Sequence, residues 1–155
     1  MAQARQHSAL IAFATLAIAA GTAHAAPDAA ACVAEHAQAA EAEGGSADTA
    51  REAFVACAKR EFGASAEARA PRCAADLYVL PVLLLYRSDG LSKTGALDDL
   101  KTGGQIGDGS EDARRTKLML DFAYQGAGPA EGKTEVWLQQ RAVQWTDRCL
   151  RGRTN

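Results

Sequence analysis

Apolar side chains recur at intervals of three and four residues along much of the chain, and this spacing places them on one face of an α-helix. Two stripes follow the same pattern, i, i+4, i+7 and i+11. Their members are Cys73, Leu77, Leu80 and Leu84 in the first, and Leu138, Ala142, Trp145 and Cys149 in the second. The pattern predicts an all-α fold, a small single domain built as an orthogonal or bundle-like array of about five helices. Residues 151–155 are expected to form a frayed basic tail.

The first two predicted helices are separated by glycines. Residues 28–43 are rich in Ala and Glu, begin with an acidic residue and stop at Gly44. A second helix is predicted to be capped by Thr49, because Thr49 and Glu52 match the capping box, in which each side chain accepts a hydrogen bond from the other residue's backbone N–H. Gly63 is expected to end this helix. Its apolar face consists of Phe54, Cys57, Ala58 and Phe62.

The most apolar segment, residues 77–86, belongs to the third predicted helix. Pro71 suits the first turn of this helix, where its missing N–H has no partner to lose. Pro81 removes a backbone hydrogen bond further along, so a kink or a division into two helical pieces is expected. A buried strand is the alternative for this segment, since Val79 and Val82 tolerate it. Helix is favoured because no convincing partner strand occurs elsewhere in the chain.

A short helix, a glycine-rich loop and a longer helix are predicted next. Ser92 is expected to cap the short helix, with residues 95–101 as its body, and residues 101–110 follow as a flexible loop. Asp108 and Glu111 are the predicted caps of the longer helix, which runs towards residue 124. Its predicted buried stripe consists of Met119, Phe122 and Ala123.

The N-terminal part of the chain has the features of a cleavable secretory signal peptide. Arg5 precedes an uncharged apolar stretch from 9 to 21, and Ala23 and Ala25 supply the small-x-small pattern at the predicted cleavage point. A membrane anchor is disfavoured, because spanning a hydrocarbon core takes about 20 apolar residues. Lipid attachment at Cys32 is disfavoured too, since a lipobox cysteine directly follows the apolar stretch.

Cleavage after Ala25 divides the chain into a signal peptide, residues 1–25, and one helical domain, residues 26–155, with a flexible loop near 101–110. Removing the signal takes away one charged residue, so the domain has 16 basic and 19 acidic residues and a net charge of −3. This balance offers no basic patch for nucleic acid, and no stable membrane insertion is expected. The predicted location is the periplasm or the extracellular space.

All four cysteines lie in the predicted domain, and an even number in an oxidising compartment predicts two disulfides. If residues 44–46 form a helical hairpin turn, Cys32 and Cys57 sit at similar heights on its two arms. Cys73 and Cys149 would then join the middle of the chain to the last helix. The competing pairing joins Cys57 to Cys73 and Cys32 to Cys149, through a second hairpin turn at residues 63–65. Of the two, the first pairing is preferred.

Catalytic chemistry is weakly represented, because two of the three histidines lie in the predicted signal peptide. His36 alone would have to supply a nucleophile's base, and no motif such as G-x-S-x-G accompanies it. It is predicted to be a solvated histidine on a helix face. Cys32 and His36 are four residues apart, but two ligands do not make a zinc site. No catalytic residue, cofactor or metal is predicted.

The glycine-rich loop and the adjacent carboxylates give no further site. The loop lacks the G-K-[ST] ending of a phosphate-binding loop. It does not match a calcium-binding loop either, because Ala113 stands where glycine is needed for the turn and Met119 where a glutamate ligand is needed. The pairs Asp98/Asp99 and Glu111/Asp112 are adjacent in sequence, so their side chains point about 100° apart on a helix, and helix-surface roles suit them better.

These features favour an exported, non-enzymatic small helical protein that binds another macromolecule in the cell envelope, of the inhibitor or immunity type. The expected partner is an unidentified protein, and the oligomeric state is left open. Trp145 is predicted to be core, whereas Trp137 lies on a different helix face and can anchor an interface. The predicted partner-binding residues are Gly103, Gly104, Gln105, Ile106, Asp108 and Trp137. The alternatives are a structural or stress-related periplasmic factor without a single partner and a carboxylate-dependent hydrolase.

Overall fold

The computed structural model describes residues 26–104, 106 and 109–154, so the predicted signal peptide lies outside the described residues. Within these ranges the chain forms six α-helices and no strand. They are α1 (Ala29–Glu41), α2 (Ala47–Phe62), α3 (Ala64–Ser88), α4 (Lys93–Thr102), α5 (Glu111–Ala123) and α6 (Thr134–Leu150). The predicted all-α domain is confirmed, with six helices where about five were expected.

The helix α1 and the helix α2 form an antiparallel hairpin whose ends are capped by side chains. Asp28 accepts a hydrogen bond from the Ala30 N–H at 2.8 Å at the start of α1. The capping box of α2 consists of Ser46 and Thr49, each side chain accepting from the other's backbone N–H at 3.2 and 2.7 Å. The prediction that Thr49 is the cap was therefore wrong by one turn, because Ser46 starts the helix and Thr49 takes the position expected for Glu52.

The central helix α3 starts earlier than predicted and is not divided. Gly63 has φ +83°, which allows α2 and α3 to be joined by a single residue. Pro71 therefore lies in the interior of α3 and not in its first turn, and α3 continues through Pro81 without interruption. Both proline rings are exposed. Packing of α3 against α2, α5 and α6 compensates for the backbone hydrogen bonds that the prolines remove. The strand alternative was wrong.

The core consists of two clusters that α3 connects along its length. The first lies between α1, α2, the first half of α3 and the end of α6, and the second between the rest of α3, α4, α5 and α6. Large members of the first are Phe54 and Leu150, and those of the second are Leu80, Leu83, Leu84, Met119, Leu120, Phe122 and Trp145. The predicted stripe of α5 and the predicted core position of Trp145 are confirmed.

The two disulfides join Cys32 to Cys57 and Cys73 to Cys149, with Cα–Cα distances of 5.3 and 5.8 Å. All four cysteines are buried in the first core cluster. The pairing preferred from the sequence is confirmed, and the competing one is wrong. The hairpin of α1 and α2 brings the first pair together, whereas the second pair depends on the packing of α6 against α3.

Serine side chains cap the later helices. Ser92 accepts from the Gly95 N–H at 3.0 Å at the start of α4, as predicted. Ser110 accepts from the Ala113 N–H at 3.1 Å and caps α5, a role that the sequence analysis assigned to Asp108 and Glu111. Glu111 is instead the first residue of α5, and Asp108 lies outside the described residues.

The C-terminal segment is folded against the domain through residue 154, so the expected frayed tail was wrong for residues 151–154. The Arg151 guanidinium pairs with Asp147 at 2.8 Å, and the Arg153 N–H donates to the Arg148 carbonyl at 2.7 Å. Arg69 of α3 donates to the Leu150 carbonyl at 3.1 Å. The last two bonds satisfy backbone carbonyl groups that the end of α6 would otherwise leave open.

A search for membrane-spanning segments in the described part of the chain finds no helix with the length and apolarity that crossing a bilayer takes.

Candidate functional site

One face of α3 presents large apolar side chains to solvent. Four of them lie within two helical turns and have exposed fractions of 36% to 48%, namely Tyr78, Val79, Val82 and Leu85. The residues between them, such as Leu83 and Leu84, are buried in the second core cluster. Segment 77–86 is therefore apolar all round, which is typical of a helix that is covered on every side. We call these four residues the α3 outer face.

A groove lies beside the α3 outer face, towards α4 and α5. Its volume is about 330 Å³, and its floor contains the buried side chains of Leu83 and Leu100. The lining residues are Tyr78, Val79, Val82, Leu83, Tyr86, Leu100 and Thr116. Polar groups are few, and the Tyr86 hydroxyl donates a hydrogen bond to the Asp99 carboxylate, which raises the pKa of Tyr86. The groove thus suits an apolar side chain better than a charged one.

His36 lies buried at the α1 side of this face. Its ring packs edge-on against Tyr78 and Phe54, with centroid distances of 5.2 and 6.0 Å. The Nε2 atom has no hydrogen-bond partner among the described residues, and burial lowers the pKa of His36. The prediction of a solvated histidine was wrong, because α1 packs against α2 and the His36 ring is covered by Phe54 of α2 and Tyr78 of α3.

Acidification is expected to destabilise the protein through His36. The pKa of the buried ring is lowered from its ordinary value, so the folded chain stays neutral where the unfolded chain binds a proton. This part of the free energy of unfolding is fully present above about pH 6.5 and declines as the pH falls below that value. The free energy of unfolding of the wild type and of His36→Leu, measured in urea from pH 7.5 to 5.5, tests this contribution of His36. The wild type should lose stability while the variant stays nearly constant, and parallel curves would contradict the assignment.

A buried ion pair lies in α3 one turn from the α3 outer face. The Asp76 carboxylate, 3% exposed, accepts from both Arg115 Nε at 2.7 Å and Trp145 Nε1 at 2.7 Å, and Arg115 Nη2 also contacts it. These bonds tie α3 to α5 and α6. The sequence analysis missed this cluster. Its signal was an acid three residues after Cys73 and four before Leu80, on the helix face of the stripe predicted to be buried, where a carboxylate needs a partner.

The residues predicted to bind a partner are placed at several positions. Gly103 and Gly104 are exposed after α4, and Gln105 and Asp108 lie outside the described residues. Ile106 is half-buried against the second core cluster, and its N–H donates to the Leu100 carbonyl at 3.3 Å. Trp137 is half-buried against the same cluster from α6. Those that the structure describes do not belong to the α3 outer face, although Leu100, one turn before Gly103, lines the groove.

The acidic pairs considered for catalysis are placed on helix surfaces. Asp99 accepts from Tyr86, and Asp98 lies 3.9 Å from the Lys101 ammonium. Glu111 pairs with Arg72, whose hydrogen bond and charge lower the pKa of Glu111. A lowered pKa is the opposite of what a general acid needs at neutral pH.

The side chains of the kinds that bind metals are either bonded to another residue or too far apart to share an ion in the part of the chain that the structure describes. Cys32 is bonded to Cys57, so the thiolate considered together with His36 is absent. Across residues 26–104, 106 and 109–154, no three His, Cys, Asp or Glu side chains come together to hold a metal ion.

Comparison of the chain with protein-family models, with curated proteins and with solved structures found no match. The functional proposal therefore rests on the α3 outer face and the groove beside it.

Proposed function

We propose that this chain is an exported, non-enzymatic protein that binds another protein in the cell envelope through the α3 outer face, in the manner of an inhibitor or immunity protein. The observation that carries the proposal is the exposure of Tyr78, Val79, Val82 and Leu85 along one line of a helix. Contiguous exposed apolar side chains of this kind mark interaction sites on soluble domains. Covering each half-exposed side chain contributes about 1 kcal/mol to association.

The shape of this region favours a protein partner. The four side chains form a ridge along α3, and the adjoining groove of about 330 Å³ has room for one or two side chains. A ridge beside a small apolar groove is suited to a partner that inserts an apolar anchor and packs around it. Leu100 of the groove floor lies in the last turn of α4, one turn before Gly103, so the loop that follows α4 starts near the groove in sequence.

Two further observations support an exported binding protein. The two buried disulfides fit an oxidising compartment, as the signal-peptide features of residues 1–25 do, and we place the protein in the periplasm or outside the cell. The side chains considered for catalysis are engaged elsewhere, with His36 packed between aromatic rings and Glu111 paired with Arg72. These engagements favour a binding role over the carboxylate-dependent hydrolase.

The test compares two valine-to-glutamate variants in their capture of a partner from envelope extract. Val82→Glu places a charge in the α3 outer face, whereas Val136→Glu is the matched control, since Val136 is equally apolar and 52% exposed on α6. We expect the wild type and Val136→Glu to retain one stoichiometric protein. Val82→Glu should weaken that complex by about 30- to 150-fold, because binding would bury an unpaired charge at a cost of about 2–3 kcal/mol.

Equal unfolding midpoints for the two variants establish that the loss is not one of folding. Capture that is unaffected by Val82→Glu, or the absence of any stoichiometric partner, contradicts the proposal, and the absence favours a structural factor. A concentration-dependent dimer of the purified protein that Val82→Glu abolishes would show that a second copy of this chain covers the face. That outcome would also overturn the envelope partner.

A further inference from the structure

Arginine side chains gather where α3, α5 and the segment after α6 meet. Three adjoining cavities of about 470, 450 and 210 Å³ open there, and Thr154 lines all three. The arginines that line them are Arg69, Arg72, Arg114, Arg115, Arg148 and Arg153. We call this region the arginine cleft.

The charges in the arginine cleft do not balance. Glu111 and Asp121 are the acidic residues that line the three cavities, and each already has a cation, Arg72 for Glu111 and Lys93 for Asp121 at 2.8 Å. Arg115 is compensated by Asp76. The other four arginines of the cleft, Arg69, Arg114, Arg148 and Arg153, form no ion pair with any residue that the structure describes.

The neighbourhood of the cleft concentrates positive charge further. Phe122 lines the smallest cavity, and the guanidinium carbons of Arg141 and Arg148 lie 3.8 and 5.0 Å from the centroid of its ring. Burial, followed by the charge of Arg148, lowers the pKa of Arg141. The two like charges repel each other, and a bound anion would reduce that repulsion.

We propose that the arginine cleft binds a small anion that carries two or more phosphate groups. Guanidinium groups match phosphate oxygens with paired hydrogen bonds, and several arginines on one cavity are typical of phosphate recognition. The largest cavity, of about 470 Å³, has room for two phosphoryl groups, and the Arg114 that lines it forms no ion pair among the described residues. The shared chemistry occurs in free phosphate compounds and in lipid headgroups. The site goes beyond the proposed protein interface and does not depend on it.

Calorimetric titration of the full domain with inorganic pyrophosphate tests the site. We expect submillimolar binding by the wild type that persists in sodium chloride of matched ionic strength. Arg114→Gln should weaken it by about tenfold, and Arg114→Gln with Arg153→Gln should remove it, since each lost charge-assisted hydrogen bond costs about 1.5 kcal/mol or more. Arg51→Gln is the matched control, because Arg51 is an exposed arginine on α2 that pairs with Asp48 outside the cleft.

Binding to vesicles of phosphatidic acid and phosphatidylcholine distinguishes a free phosphate compound from a lipid headgroup as the natural anion. Pyrophosphate binding alone indicates a free anion, and pyrophosphate binding together with Arg114-dependent vesicle binding indicates a headgroup; either result supports the cleft. Three results would overturn it: no pyrophosphate binding, binding to vesicles only, or equal weakening by Arg51→Gln and Arg114→Gln. Val82→Glu should bind pyrophosphate like the wild type, so failure of the proposed protein interface and failure of this site are separately visible.

Discussion

Replacing Asp76 with alanine is expected to lower the free energy of unfolding by about 3–5 kcal/mol. The change leaves the Arg115 guanidinium, whose side chain is only 12% exposed, without its counter-charge. It also leaves the indole N–H of Trp145, which donates to Asp76 at 2.7 Å, without an acceptor in the core. Urea unfolding followed by circular dichroism and by tryptophan fluorescence measures the loss.

Asp48→Ala is the control for Asp76→Ala. Asp48 also pairs with an arginine, Arg51 at 2.8 Å, but both side chains are more than half exposed, so its removal should cost no more than about 1 kcal/mol. The double variant Asp76→Leu with Arg115→Met should be more stable than Asp76→Ala, because no buried charge then remains unpaired. A loss below about 1 kcal/mol for Asp76→Ala would show that the pair does not hold α3, α5 and α6 together.

Removing the Cys73–Cys149 disulfide by a double alanine substitution is expected to cost about 4.5 kcal/mol, against about 3.5 kcal/mol for Cys32–Cys57. The difference follows from loop length, since the Cys73–Cys149 bond links residues 76 apart and the Cys32–Cys57 bond links residues 25 apart. A longer cross-linked loop removes more conformational freedom from the unfolded chain. Chemical unfolding of both double variants beside the oxidised wild type measures the two losses.

The order of the two losses is the critical result. Reduced wild type should unfold at a denaturant concentration below that of either double variant, because it lacks both cross-links. If Cys32→Ala with Cys57→Ala proves the more damaging change, the loop-length account fails. The hairpin of α1 and α2 would then depend on its bond for native packing, not for restriction of the unfolded chain.

Local signals in the sequence predicted most helices and several of their ends. Gly63 and Ser92 terminate or start helices as expected, because capping involves groups within one turn of each other. The start of α3 was misplaced because Pro71 was interpreted as a first-turn residue. The tertiary contacts of α3 tolerate a proline in its interior, and no local pattern reports those contacts.

The candidate site was less accessible to sequence analysis than the helices. The pattern showed that residues 77–86 are apolar, yet it did not show that Tyr78 and Val82 remain uncovered while Leu83 is buried. The cluster at Asp76 could not be predicted from the sequence, because its partners Arg115 and Trp145 lie 39 and 69 positions away in the chain. The sequence-based choice of the loop at 101–110 rested on flexibility, which does not identify an apolar surface.

The sequence by itself determined the helical class and the number of disulfides, because helical periodicity and caps are properties of neighbouring residues and an even number of cysteines can pair completely. It favoured one disulfide pairing through a predicted hairpin turn, but the packing of α6 against α3 decided that pairing. Only the tertiary structure decided that His36 is buried, that the α3 outer face is open, and that six arginines from α3, α5, α6 and the following segment line one cleft. The net charge of the predicted domain, −3, gave no sign of that cleft. Exposure and charge clustering depend on which helices pack together, and packing joins residues that are far apart in the chain.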